Sequence, residues 1–150
     1  LGLLVFVHVM AAIVGIGSVY CPLLLVRSDQ ALADLRVSLV LMRTLNRFPV
    51  VVGSVALFSG VLLVIFGDYG SIGQVWLLGS LFLYIVIYII VVGLIRPKVR
   101  RLLFWVSHDD NKEVVRLPPA QQQWLDRLAY WYYVVACLAT LLFFFMIVKP

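Results

Sequence analysis

From Leu1 to Val26 the chain carries no Asp, Glu, Lys or Arg, and further charge-free runs occupy 49–67, 74–95 and 128–148. A bilayer core about 30 Å thick is crossed by roughly 20 apolar residues in helical conformation, so each run is long enough to span it. Within such a run only a helix satisfies every backbone N–H and C=O without water. The expectation is an all-α, polytopic integral membrane protein. It forms one domain over residues 1–150, a four-transmembrane-helix bundle with amphipathic extensions on the cytoplasmic side. Composition agrees, since 64% of residues are hydrophobic and 13% charged, against about a quarter charged in soluble domains. A soluble globular enzyme is excluded.

A net charge of +5 in a soluble chain would point to nucleic acid. Here eleven of the twelve basic residues sit between the apolar runs, where they report topology. Four Lys and Arg lie between the first and second runs, seven between the third and fourth, one at the C-terminus, and none in the 67–73 turn. The positive-inside rule puts both basic loops in the cytoplasm of a bacterial-type inner membrane and both termini outside. The expected partners are the lipid bilayer and other membrane subunits or a second copy, with no nucleic acid. The chain begins at Leu1, and its first apolar run is too long for a signal peptide, so it reads as a retained helix.

The connectors have patterns of their own. In 31–48, Leu32, Leu35, Leu39 and Met42 recur at helical spacing, while Arg36, Arg43 and Arg47 fall on another side. This predicts an amphipathic helix running into the second crossing, with Pro49 marking a kink or a restart. After Ile95, the run Arg96-Pro97-Lys98 with Arg100, Arg101, Phe104 and Trp105 predicts a helix continuing along the interface. Pro118-Pro119 seeds the last helix. The aromatic cluster Trp124 and Tyr130 to Tyr133 suits the headgroup region.

His8 is the one ionisable side chain deep in an apolar run, and such residues are functional candidates by default. Ala12, Gly15, Val19 and Pro22 share its helical face, which would leave a shallow groove for a flat ligand. A neutral imidazole is a good axial ligand for haem iron and also binds copper. The alternative is helix packing, with His8 donating one hydrogen bond across the bundle. Gly53, Ala56 and Gly60 form a small-residue seam in the second run. Ser80, Tyr84 and Tyr88 form a polar-edged stripe in the third, facing a porphyrin, a quinone or Thr140. Met10, Met42, Met146, Cys21 and Cys137 are soft donors for Cu(I) without a compact spacing. His108, Asp109, Asp110 and Glu113 read as a solvated loop or cap. No nucleophile triad, phosphate-binding glycine loop or Cys/His metal motif occurs.

The run His8-Val9-Met10 through Gly15, Gly17 and Tyr20-Cys21-Pro22-Leu23 resembles the first helix of a superfamily of small bacterial membrane proteins. It includes HemJ-type protoporphyrinogen oxidases, CopD-like proteins and an uncharacterised family of predicted integral membrane proteins. Arg43 to Pro49, Phe58-Ser59-Gly60 and Val75-Trp76-Leu77-Leu78 extend the likeness over residues 5 to 102. It is nearest to the uncharacterised family. Likeness to the HemJ type implies a haem-associated histidine at His8; with the helical faces read above, the expected cofactor is haem b, His8 its metal ligand and Gly15, Tyr84 and Tyr88 beside it, in a redox or porphyrin-handling role. This chain has Leu78 and Ser80 where that type carries a histidine and a lysine, and the His8 to Tyr20 spacing is one residue short. Without the lysine no oxidase activity is expected, and no catalytic residue is assigned. The rival expectations are a non-catalytic accessory subunit of a larger membrane complex, and copper or small-solute transport.

Overall fold

The computed structural model describes residues 1–26, 31–111 and 113–149. Arg27 and Lys112, two of the basic residues counted for topology, lie outside the described residues. Among the described residues every regular element is helical. Helix α1 (Gly2–Gly17) passes through a 3-10 turn (Ser18–Tyr20) into the short α2 (Pro22–Leu25). The tightening has two local causes. The Ser18 hydroxyl donates back to the Gly15 carbonyl at 2.8 Å, and Pro22 has no amide hydrogen to continue the α ladder. The three pieces form one 24-residue apolar rod, Gly2–Leu25.

Helix α3 (Leu32–Leu45) and α4 (Phe48–Phe66) are separate, so Pro49 marks a restart rather than a kink. The Asn46 amide bonds Met42 and the Arg47 amide bonds Thr44, and Pro49 then lies in the first turn of α4, where its missing N–H costs nothing. The amphipathic reading of α3 holds, with Leu32, Leu35, Leu39 and Met42 all buried. Arg36, on the other side of the helix, is held by main-chain carbonyls. Its Nε donates to the Val106 carbonyl at 2.8 Å and its guanidinium to the Asn111 carbonyl at 3.2 Å.

Helix α5 (Val75–Ile90) continues through a π-helical segment (Val91–Ile95) into α6 (Arg96–Ser107). Pro97 explains the wide turn: it cannot donate to the carbonyl four residues back, and its ring needs room there. Arg36 and Asn111 together cap α6, since Asn111 Nδ2 donates to the Trp105 carbonyl at 2.9 Å. A cation at this end also opposes the negative pole of the helix. Helix α7 (Pro119–Val148) is one uninterrupted 30-residue rod started by Pro118-Pro119.

The helices pair as α1 with α4, α5 with α7 and α3 with α6. Among the described residues four stretches, Gly2–Leu25, Leu32–Phe66, Val75–Ser107 and Pro119–Val148, are long and apolar enough to cross a membrane. The second and third run to 35 and 33 residues, roughly 50 Å at 1.5 Å per residue. They therefore project well beyond a hydrocarbon core of about 30 Å. The projecting parts, α3 and α6, carry the charges. The main core lies at that basic end: Leu35, Leu39, Met42, Ile95, Val99, Leu102, Leu128 and Tyr132 are almost wholly enclosed. At the other end Lys149 lies over the rings of Tyr69 and Trp76, at 5.4 and 5.1 Å.

Candidate functional site

Helix α1 turns His8 toward α4. Its Nδ1 lies 2.8 Å from the Ala56 carbonyl and 3.3 Å from Ser59 Oγ. Since a carbonyl only accepts, Nδ1 is the donor, and in a neutral imidazole that leaves the lone pair on Nε2. Ser59 is itself anchored to the Val55 carbonyl at 2.7 Å. The imidazole edge rests on Gly60, where a Cβ would stand 2.9 Å from His8 Cε1. His8 and the Gly53, Ala56, Gly60 seam thus form one contact.

Gly15 lies about two turns further along the same contact. A Cβ there would stand 2.7 Å from the Gly53 amide nitrogen and 3.0 Å from the Val52 carbonyl carbon. The surface beside Gly15 is therefore filled by the α4 main chain, and the expected groove is closed at that point. Tyr84 of α5 lies against Gly53, whose Cβ would be 3.2 Å from its ring and its hydroxyl. Tyr88 is tilted against Tyr84 at 6.5 Å between centroids and is 39% exposed. Ser80 donates to its own helix at Trp76. The structure thus gathers His8, Gly15 and, across Gly53, Tyr84 around one stretch of α4, while Tyr88 stays at the margin.

Thr140 is engaged by Tyr20 at 2.7 Å rather than by the α5 stripe. Among the described residues no three His, Cys, Asp or Glu side chains converge as a metal site. Met42 lies in the core, and Cys21 and Cys137 are free and exposed. His108 pairs with Asp110 at 3.5 Å on the surface, as a loop would.

Sequence reasoning missed Asn46. It is 4% exposed and accepts a hydrogen bond from the buried Tyr132 hydroxyl at 2.9 Å. The signal was a lone amide between Arg43 and Arg47, readable only once α6 is known to lie alongside. No curated protein and no solved structure matches the chain. The family model described as predicted integral membrane protein (DUF2269) matches residues 2–150. With four membrane-spanning stretches and nearly the whole length covered, this integral membrane protein belongs to the DUF2269 family.

Proposed function

We propose that this protein is a non-catalytic accessory subunit of a larger membrane assembly, acting through its helices. The observation that carries the reading is the seam between α1 and α4. Its histidine donates into the α4 main chain, and Gly15 and Gly60 are filled by α4 backbone and by imidazole. Tyr20 is likewise joined to Thr140 and Ser80 to its own helix. Polar groups that satisfy one another inside an apolar bundle support a packing role over chemistry or transport. In this reading the basic end faces the cytoplasm across a bacterial-type inner membrane, with both termini outside. Purification of the full chain from native membranes in mild detergent is expected to bring down another membrane protein in fixed stoichiometry, unchanged by His8→Ala. Recovery of this chain alone, or loss of the partner in His8→Ala, overturns the reading.

One observation favours a second reading. An imidazole whose Nδ1–H is held by a main-chain carbonyl presents Nε2 in the way that metal-ligating histidines do. His8 Nε2 fits an axial ligand of a tetrapyrrole such as haem b, which would supply redox or porphyrin chemistry. The packing of Gly15 and Gly53 leaves no room for a macrocycle inside the seam, so the group would be held at the bundle surface. A Soret band in gently solubilised protein, lost in His8→Ala, would replace the first reading with this one.

A further inference from the structure

A cavity of about 130 Å³ opens where the α3–α4 junction meets the start of α6, lined by Arg43, Asn46, Arg47, Arg96, Val99 and Arg100. Four arginines line it, Arg43 from α3, Arg47 from the α3–α4 junction, and Arg96 and Arg100 from α6. Among the described residues no carboxylate pairs with any of them. Like charges gathered round one cavity repel each other, and the repulsion is relieved by an anion.

A second observation points the same way. Asn46 is 4% exposed, and its Oδ1 is taken by Tyr132. Its Nδ2 is buried without a hydrogen-bond partner. An unpaired buried donor is costly, and Asn46 is one of the residues that line the cavity.

Depth identifies the anion. Arg47 immediately precedes the apolar run of α4 and Arg96 immediately follows that of α5, so the cavity lies at the level where a bilayer carries its phosphates. Planar guanidinium groups match the paired oxygens of a phosphate. Basic pockets between helices at this depth are suited to phospholipid head groups. We propose that Arg43, Arg47, Arg96 and Arg100, with Asn46 Nδ2, form a binding site for a phosphate group at the basic membrane interface.

The test uses the full chain in detergent micelles. Native mass spectrometry follows retention of phosphatidylglycerol against phosphatidylcholine, and inorganic phosphate is titrated separately. Asn46→Asp keeps an acceptor for Tyr132 and places a carboxylate among the arginines, so it is expected to stay folded while weakening the anion. Each lost charge-assisted contact corresponds to about tenfold or more in affinity. Arg47→Gln and Asn46→Asp are therefore each expected to cut retention at least about tenfold, while Arg101→Gln, whose side chain stacks on Trp124 at 4.0 Å, does not. Arginine-dependent retention of phosphatidylglycerol supports a lipid source. Saturable, arginine-dependent binding of inorganic phosphate without lipid selectivity supports the site with a soluble source. Equal retention of both lipids and no phosphate binding, unchanged in monodisperse Asn46→Asp, overturns the proposal.

Discussion

The α3–α6 pair and the α1–α4 pair are both close helix contacts, and different forces hold them. Helix α3 has Asp34, Arg36 and Arg43, and α6 has Arg96, Lys98, Arg100 and Arg101. Their charged faces meet water and head groups, so burying Leu35, Leu39, Val99, Leu102 and Val106 removes apolar surface from water. Helices α1 and α4 carry no charge, and their outward faces are as apolar as lipid. Nothing drives them together by exclusion of water, so close van der Waals contact and the His8 hydrogen bond must do so. The composition of the two contacts follows: branched side chains at α3–α6, and Gly15, Gly53, Ala56 and Gly60 at α1–α4. The lesson is that two close helix contacts need not share one source of stabilisation.

Substitutions can break or sharpen the contrast. The largest loss is expected from Leu102→Ala in the basic-end core, where the side chain is wholly enclosed. Such truncations cost about 2–5 kcal/mol, read here as a lowered unfolding midpoint in detergent. Next comes Gly15→Ala, whose new Cβ meets α4 main chain at 2.7 Å. Backbone cannot step aside as a side chain can, so a loss of about 1–3 kcal/mol is expected, with cysteine cross-linking between α1 and α4 reduced. Gly17→Ala meets nothing within 4 Å and is expected to leave the midpoint unlowered. An equal loss at the two glycines would overturn the contact account, since alanine raises helix propensity at both positions.

Much of this architecture was legible beforehand. Charge-free runs locate the rods because lipid tolerates little else, and the spacing from Leu32 to Met42 defines the buried face of α3. The fate of Pro49, Pro97 and Arg36 was less legible, because each depends on what a neighbouring turn offers. A proline can break a helix or be absorbed, and only the π segment beyond Ile90 shows which happens before Pro97. His8 and the glycines were visible as candidates, but spacing along one helix does not say which face a second helix covers. The arginine cavity was hidden for the same reason: its walls come from residues about 50 positions apart in the chain, and local periodicity carries no such information.

Tyr132→Phe sharpens the comparison from the basic end. It removes the hydroxyl that donates to Asn46 and leaves shape and apolar contact almost unchanged. A net loss of about 1–1.5 kcal/mol is expected for one buried hydrogen bond, measurable as a shifted unfolding midpoint. An unchanged midpoint would mean that Asn46 turns to the arginine cavity for its partners.

His8→Ala is the mildest of the set and the most informative about α1–α4. Interhelical hydrogen bonds in membrane bundles average about 0.6 kcal/mol, because the separated helices also find partners. If His8 serves packing alone, the midpoint falls by about that amount, and His8→Asn, which keeps an N–H donor, recovers part of it. The glycine contacts at Gly15 and Gly53 remain in both variants, so α1 should still cross-link to α4. A loss several times larger, not recovered by asparagine, would mean that the imidazole holds something besides the Ala56 carbonyl. Nε2 is the atom at which to look for it, and the absorption spectrum of the same preparation reports whether a tetrapyrrole is there.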